Sequence, residues 1–258
     1  MAEPAKPAPP GGVVSLFGKL PQKRDFVRIC HDSPEALALD RWLAGALGDL
    51  AEHALGFDES LRFVFAQPDR KLVGVLRPSR DRAGRRYPVA IFTALAGSDI
   101  PGGVAEIPVA LSSFFAAAEQ LAQDIPSLSY DAVLSRVDAL GEHATTRPVV
   151  REPAPAPAPP GVLAPPVLDE PVVEAGEDVV RWATAAGVKS VLRCPANDAE
   201  HVASWNRLLD RPRIDSGGVS WFWSPRRQLL WLFAGDLPHW LLRVLVSGRP
   251  AQRVTVIP

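Results

Sequence analysis

Cysteine is nearly absent. Cys30 and Cys194 are the only two in 258 residues, too few for a disulfide scaffold and without the paired spacing of a zinc site. No charge of one sign prevails either, since Lys+Arg 28 stand against Asp+Glu 29, a formal net charge of -1. That balance gives no general attraction to nucleic acid or to an anionic membrane. No apolar run approaches the roughly 20 residues needed to span a bilayer. The opening stretch, Met1–Pro10, is rich in Ala and Pro and has no apolar core, so it does not read as a secretory signal. A soluble, cytoplasmic protein is expected. What is present is ordinary: 47% hydrophobic and 22% charged residues, enough to bury a core.

Catalytic motifs are scarce too. Gly18-Lys19 has the ending of a phosphate-binding loop, but the earlier glycine of that loop is replaced by Val13 and the following hydroxyl residue by Leu20. Cys30-His31-Asp32 holds a nucleophile, a base and an acid, yet neighbouring side chains diverge on a strand and on a helix alike. The five histidines, His31, His53, His143, His201 and His239, show no metal-ligand spacing. No nucleophile elbow and no dinucleotide fingerprint occur. No catalytic residue, cofactor or metal ligand is therefore assigned, and the expectation is a protein that is not an enzyme.

Proline, at 27, is in excess, and the excess is local. Four prolines lie in Met1–Pro10 and nine in Pro148–Pro171, while elsewhere the frequency is near the usual ~5%. The organisation expected is a flexible Ala/Pro-rich arm at 1–12, an N-terminal α/β domain at 13–145, a Pro-rich linker at 146–173, and a C-terminal α/β segment at 174–258 packing on the first. The linker reads as a solvated polyproline spacer, with docking of a proline-binding partner as the alternative.

Local signals fill in the elements. Ser33-Pro34-Glu35 is a helix start. Leu39, Leu43, Ala46, Leu47, Leu50 and Ala54 extend it to a helix of roughly twenty residues ending before Gly56. Strands are expected at Leu61–Ala66, Leu72–Leu76 and Tyr87–Leu95, paired antiparallel because their connections are short. Helices follow at Ile107–Gln123 and Tyr130–Leu140, the second capped by Ser129. After the linker, helices are expected at Asp178–Ala186, Ala199–Leu209 and Leu237–Val246, and strands at Val188–Cys194 and Arg253–Ile257. Val219–Trp223 and Gln228–Phe233 read as a hairpin around Ser224-Pro225-Arg226-Arg227. Trp205, Trp221, Trp223, Trp231 and Trp240 concentrate in this region. Core packing is the first reading for them, and a partner groove that includes Trp221, Trp223 and Trp231 is the second. The fold class is mixed α/β, a largely antiparallel central sheet flanked by helices with the Pro-rich insertion.

Two segments are too particular to be generic. The first is Leu16-Phe17-Gly18-Lys19-Leu20-Pro21-Gln22-Lys23-Arg24-Asp25-Phe26-Val27, and the second is Gly74–Pro88 with Pro78-Ser79-Arg80-Asp81-Arg82-Ala83-Gly84-Arg85-Arg86-Tyr87 at its centre. In the second, Pro78 pins φ, Ser79 and Asp81 can bond the turn backbone, Gly84 permits φ > 0, and Asp81 can pair with Arg85. Five arginines between Arg77 and Arg86 exceed what a turn needs. The partner-binding candidates are Arg80, Arg82, Arg85 and Arg86, with Ser79 and Asp81 in the same loop. Lys19, Arg24 and Asp25 join them from the first segment, where a solvated strand end is the plainer reading.

Together the two segments resemble the TagF (ImpM) family of type VI secretion-associated proteins, with Arg24 standing where that family usually has glycine. Ser220-Trp221-Phe222-Trp223 and Gly235-Asp236-Leu237-Pro238 are similar to its C-terminal strand and helix start. The resemblance implies a cytoplasmic post-translational repressor of type VI secretion assembly, acting on a forkhead-associated (Fha) scaffold protein. A structural adaptor of the same machine is the alternative, and a hydrolase with an unrecognised site is a remote one. No nucleic acid, no membrane insertion and no fixed oligomeric state follow from it.

Overall fold

The structure is a computed structural model that describes residues 12–30, 32–48, 59–67, 70–96, 99, 104–144, 191–209, 219–247 and 254–256. Residues 1–11 of the arm, the Pro-rich linker, the expected helix at 178–186, His31, His53 and the Pro68-Asp69 turn lie outside them, as does the expected continuation of the first helix beyond residue 48.

Nine strands form one sheet. In chain order they are β1 (Val14–Gly18), β2 (Val27–Ile29), β3 (Leu61–Ala66), β4 (Arg70–Arg77), β5 (Val89–Ala96), β6 (Val191–Pro195), β7 (Val219–Ser224), β8 (Leu229–Ala234) and β9 (Val254–Val256). Their order across the sheet is β2-β1-β5-β4-β3-β7-β8-β6-β9. Every pairing is antiparallel except β6 with β9. The helices are α1 (Pro34–Gly48), α2 (Ile107–Ala110), α3 (Ser112–Asp124), α4 (Tyr130–Ala139), α5 (Ala199–Leu209) and α6 (Trp240–Ser247). The mixed α/β architecture with a largely antiparallel sheet is the one expected.

Strand periodicity divides the apolar residues between two faces. Val64, Val73, Val75, Ile91, Trp221, Trp223, Leu230 and Leu232 point to one side, where Phe114, Phe115 and Leu121 of α3 and Val133 and Val137 of α4 cover them. Phe63, Phe65, Leu72, Leu76, Phe92, Phe222, Trp231 and Phe233 point to the other, under α1 and α6. Burial on both faces explains why β3, β5, β7 and β8 read as nearly continuous apolar runs. The two parts of the chain share this sheet: β3 pairs with β7 through Arg62↔Trp223, Phe63↔Phe222 and Val64↔Trp221. Across the second face, the Trp42 indole of α1 donates to the Pro238 carbonyl at 3.2 Å.

Local differences have local causes. The helix expected over Ile107–Gln123 is interrupted at Leu111, whose ψ of 21 leaves the helical region. Its side chain is fully buried, and the apolar spacing runs unbroken through the kink. The last helix begins at Trp240 and not at Leu237, because the Pro238 carbonyl already accepts both the Leu241 amide and the Trp42 indole in a lead-in turn. Ser129 caps α4 as expected, its hydroxyl accepting from the Ala132 amide at 3.2 Å. β1 and β2 are elements that the sequence reading did not single out as strands.

Candidate functional site

The two motif segments meet at one end of the sheet. β4 ends at Arg77 directly opposite Val89, where β5 begins, so residues 78–88 form the connection over that end. Phe17 of β1 pairs with Ala90 of β5, which brings the turn after Gly18 alongside. The contact is backbone against backbone. Gly18 has φ +135, and a Cβ there would sit 2.3 Å from the Pro88 carbonyl oxygen, so only glycine fits. Five residues on from Gly18, the Arg82 amide donates to the Lys23 carbonyl at 2.8 Å.

Asp81 is the centre of the arrangement and is buried. One carboxylate oxygen accepts the amides of Ala83 and Arg85, each at 2.9 Å. The other meets the Arg85 guanidinium at 2.6 Å and the Lys19 ammonium at 3.4 Å. Burial alone would raise this carboxyl. The Arg85 amide and guanidinium and the Lys19 ammonium outweigh it and hold it at about 2. Backbone bonds from Asp81 to Arg85 and from Gly84 to Asp81 close the turn, with Gly84 at φ +83. Arg85 also donates to the Arg24 carbonyl. One carboxylate thus ties together two segments 62 positions apart.

Around this centre lies an aromatic rim. Phe26, partly exposed at 39%, meets Tyr87 edge-on with centroids 4.6 Å apart. Lys19 and Arg28 flank the Phe26 ring at 5.4 and 5.6 Å, a cation–π setting. The Tyr87 hydroxyl donates to Asp40 of α1 at 3.0 Å, and Arg28 pairs with the same carboxylate at 3.2 Å. Burial pushes the Tyr87 phenol well up, and the Asp40 charge adds to the shift. On the other flank, the Gln22 amide donates to the Ile125 and Leu128 carbonyls at 2.5 and 2.7 Å, and Lys23 lies 3.8 Å over the Tyr130 ring.

The candidates therefore sort into two groups. Arg24, Asp25, Arg80, Arg82, Arg85 and Arg86 are exposed, and the structure gathers them around one turn. Lys19 is buried at 8% exposure, which corrects its reading as part of a solvated strand end: its ammonium is neutralised by Asp81. Ser79 contributes its carbonyl, which accepts from the Tyr87 amide at 3.1 Å. Trp221, Trp223 and Trp231 are buried to 2% exposure or less, so they form core and present no groove. Phe26, Tyr87, Asp40 and Gln22 complete the site and were not among the candidates. Phe26 and Gln22 were visible inside the first motif, whereas nothing about Asp40 on its helix pointed to Tyr87.

Cys30 is exposed and has a left-handed backbone, and His31 lies outside the described residues. Cys194 is buried, and burial raises its thiol far above the reactive range. Among the described residues no three His, Cys, Asp or Glu groups gather as for a metal, and no helix is long and apolar enough to cross a membrane. The geometry presents exposed arginines on a turn held by Asp81.

No curated protein matches the sequence. Three solved chains match it in structure. Among them, the crystal structure of PA0076 from Pseudomonas aeruginosa PAO1 has 19% sequence identity and a TM-score of 0.57, covering 95% of this chain and 97% of its own. That likeness concerns the fold. Residues 15–140 match the model of the TagF N-terminal domain, described as type VI secretion system-associated, and both segments of the pinned turn lie inside that match. Over these residues the chain is similar to the TagF family of type VI secretion-associated proteins.

Proposed function

We propose that this chain is a non-enzymatic, cytoplasmic, post-translational repressor of type VI secretion assembly that binds an Fha-type scaffold protein. The observation that supports it best is the exposed arginine turn anchored on a buried Asp81. Arg80, Arg82, Arg85 and Arg86 stand together on a loop whose backbone is fixed from beneath, in a chain with a net charge of only -1. Preorganised charge of one sign steers association with an acidic surface and lowers the ordering cost of binding. An adaptor of the same machine would take the tryptophan hairpin as its contact, and the burial of Trp221, Trp223 and Trp231 gives that alternative less support.

Deletion of the gene in a strain with its native secretion cluster tests the direction of action. A repressor's loss raises secretion, and an adaptor's loss abolishes it. Affinity capture from the same strain should recover the scaffold protein with the wild-type chain, and recovery should fall when Arg80 and Arg82 are both changed to Ala. Unchanged secretion on deletion, or normal capture by the double variant, would remove support for this reading.

A further inference from the structure

A second feature occupies the same end of the sheet, on the face covered by α3. There a cleft with a cavity volume of about 390 Å³ opens between α3 and the ends of β3, β4 and β7, lined by Glu59, Ser60, Arg77, Glu119, Gln123 and Arg226 among others. The volume is within the range of small-ligand sites. Arg77 is the last residue of β4, immediately before the arginine turn.

Two carboxylates line the cleft, and each already has its own arginine. Glu119 is held at both oxygens by Arg62, at 3.0 and 2.8 Å, and that guanidinium lies 4.7 Å from the Trp223 ring. Glu59 accepts from the Ser224 hydroxyl at 2.7 Å and pairs with Arg227. Arg227 is anchored further by the Leu245 carbonyl at 3.1 Å. Arg77 differs. Among the described residues its half-buried guanidinium has one partner, the Ser60 hydroxyl at 3.3 Å. A guanidinium carries five donors, and withdrawing it from water without an anion is unfavourable. Ser60 is itself buried, at 8% exposure. Its oxygen accepts from Arg77, which leaves its own O–H to donate.

We propose that this cleft binds a carboxylate side chain, Glu or Asp, from a partner polypeptide, with Arg77 as its fork and Ser60 as a second donor. The inference rests on the reading that the chain acts by binding a protein partner. A monoanion matches the Arg77 guanidinium, which has no carboxylate partner among the described residues. The planar fork suits a carboxylate through two parallel hydrogen bonds. The turn beside it supplies long-range attraction, and the cleft supplies the register.

The test uses the full chain and two small probes, N-acetyl-glutamate amide and its neutral isostere N-acetyl-glutamine amide, in NMR titrations at low salt. The glutamate probe should shift the signals of Ser60 and Arg77 saturably, and the glutamine probe should not. Arg77→Gln should weaken binding about tenfold, the size of a lost charge-assisted hydrogen bond. If that variant fails to fold, Arg77→Lys and Ser60→Ala carry the same comparison. Changing Arg80 and Arg82 to Ala should leave the probe affinity unaltered while weakening scaffold capture, which separates this pocket from the turn. Equal shifts with both probes, undiminished binding by Arg77→Gln, or tighter Arg77-dependent binding of inorganic phosphate would each overturn the assignment. Failed scaffold capture together with intact glutamate-probe binding would sink the repressor reading and leave the pocket standing.

Discussion

The arginine turn at residues 78–88 and the tryptophan hairpin at residues 219–234 attracted notice for the same reason, an unusual density of one residue class. Their fates are opposite. In the turn, alternation breaks at Pro78, and polar side chains with a glycine at φ +83 keep the chain away from the sheet. Its arginines Arg80, Arg82, Arg85 and Arg86 face solvent, and Asp81 goes inward beneath them. In the hairpin, strict alternation continues through Trp221, Phe222 and Trp223 in a strand covered on both sides. Indoles with layers above and below cannot serve as a contact surface, however suggestive their number. The number of layers over a segment, and not its composition, separates the two.

Substitutions sharpen this contrast, and the largest effect is expected in the hairpin. Trp223→Ala removes a fully buried ring whose Nε1–H donates to the Ala196 carbonyl at 3.1 Å and whose face meets Arg62 at 4.7 Å. It should destabilise the fold by about 3–5 kcal/mol in chemical denaturation. A near-neutral result would mean that the hairpin is surface after all.

The turn should break through its anchor. The Asp81 carboxyl sits at about 2 in the folded protein, below the ordinary value of about 3.9. Its depressed value contributes stability that is present above about pH 4 and is lost as the pH falls toward 2. Asp81→Asn should therefore lower stability at neutral pH and flatten the acid limb of the unfolding curve over that window. An unaltered limb would mean that the anchor holds nothing.

Smaller still is the effect of Gly84→Val. Nothing lies within 4 Å of a Cβ built there, so the penalty is backbone strain alone, about 1–2 kcal/mol for a left-handed residue, read as a lower melting temperature. Smallest is the paired change of Arg80 and Arg82 to Ala. Exposed charges away from special backbone move stability by less than ~0.5 kcal/mol, so the melt should be almost unaltered while secretion rises. A marked loss of stability would show that these arginines are scaffold.

How much was legible from sequence follows the same physics. β3, β4 and β5 could be read because proline, glycine and charged clusters punctuate them. The Asp81–Arg85 pair could be read because both partners share one turn. The bounds of β1 were not visible, since Val14–Gly18 is five residues buried throughout with no polar alternation to mark a period, and only a strand end near Lys19 could be read. The Lys19–Asp81 and Tyr87–Asp40 contacts were illegible for a different reason. They depend on sheet order and on where α1 lies, and neither is written in local spacing. The exposed arginines and the Asp81–Arg85 pair were therefore visible, and the contacts that Lys19 and Asp40 make with the loop were not.

The pairing of β3 with β7 bears on how this protein can be handled in pieces. The family-matched stretch ends at residue 140, yet the hydrogen-bonding partner of β3 begins at Val219. A fragment cut after residue 140 would keep every residue of the arginine turn and lose one neighbour of its central strands. The backbone groups of Arg62 to Val64 would then line an open margin beside Phe63 and Phe65, stripped of the Phe222 ring that lies 6.3 Å from Phe63. Such a margin is a template for intermolecular strand addition. Fragment precipitates or ladders of self-paired sheets would be the handling problem to anticipate, and a peptide spanning residues 219–234 supplied in trans is the natural cap.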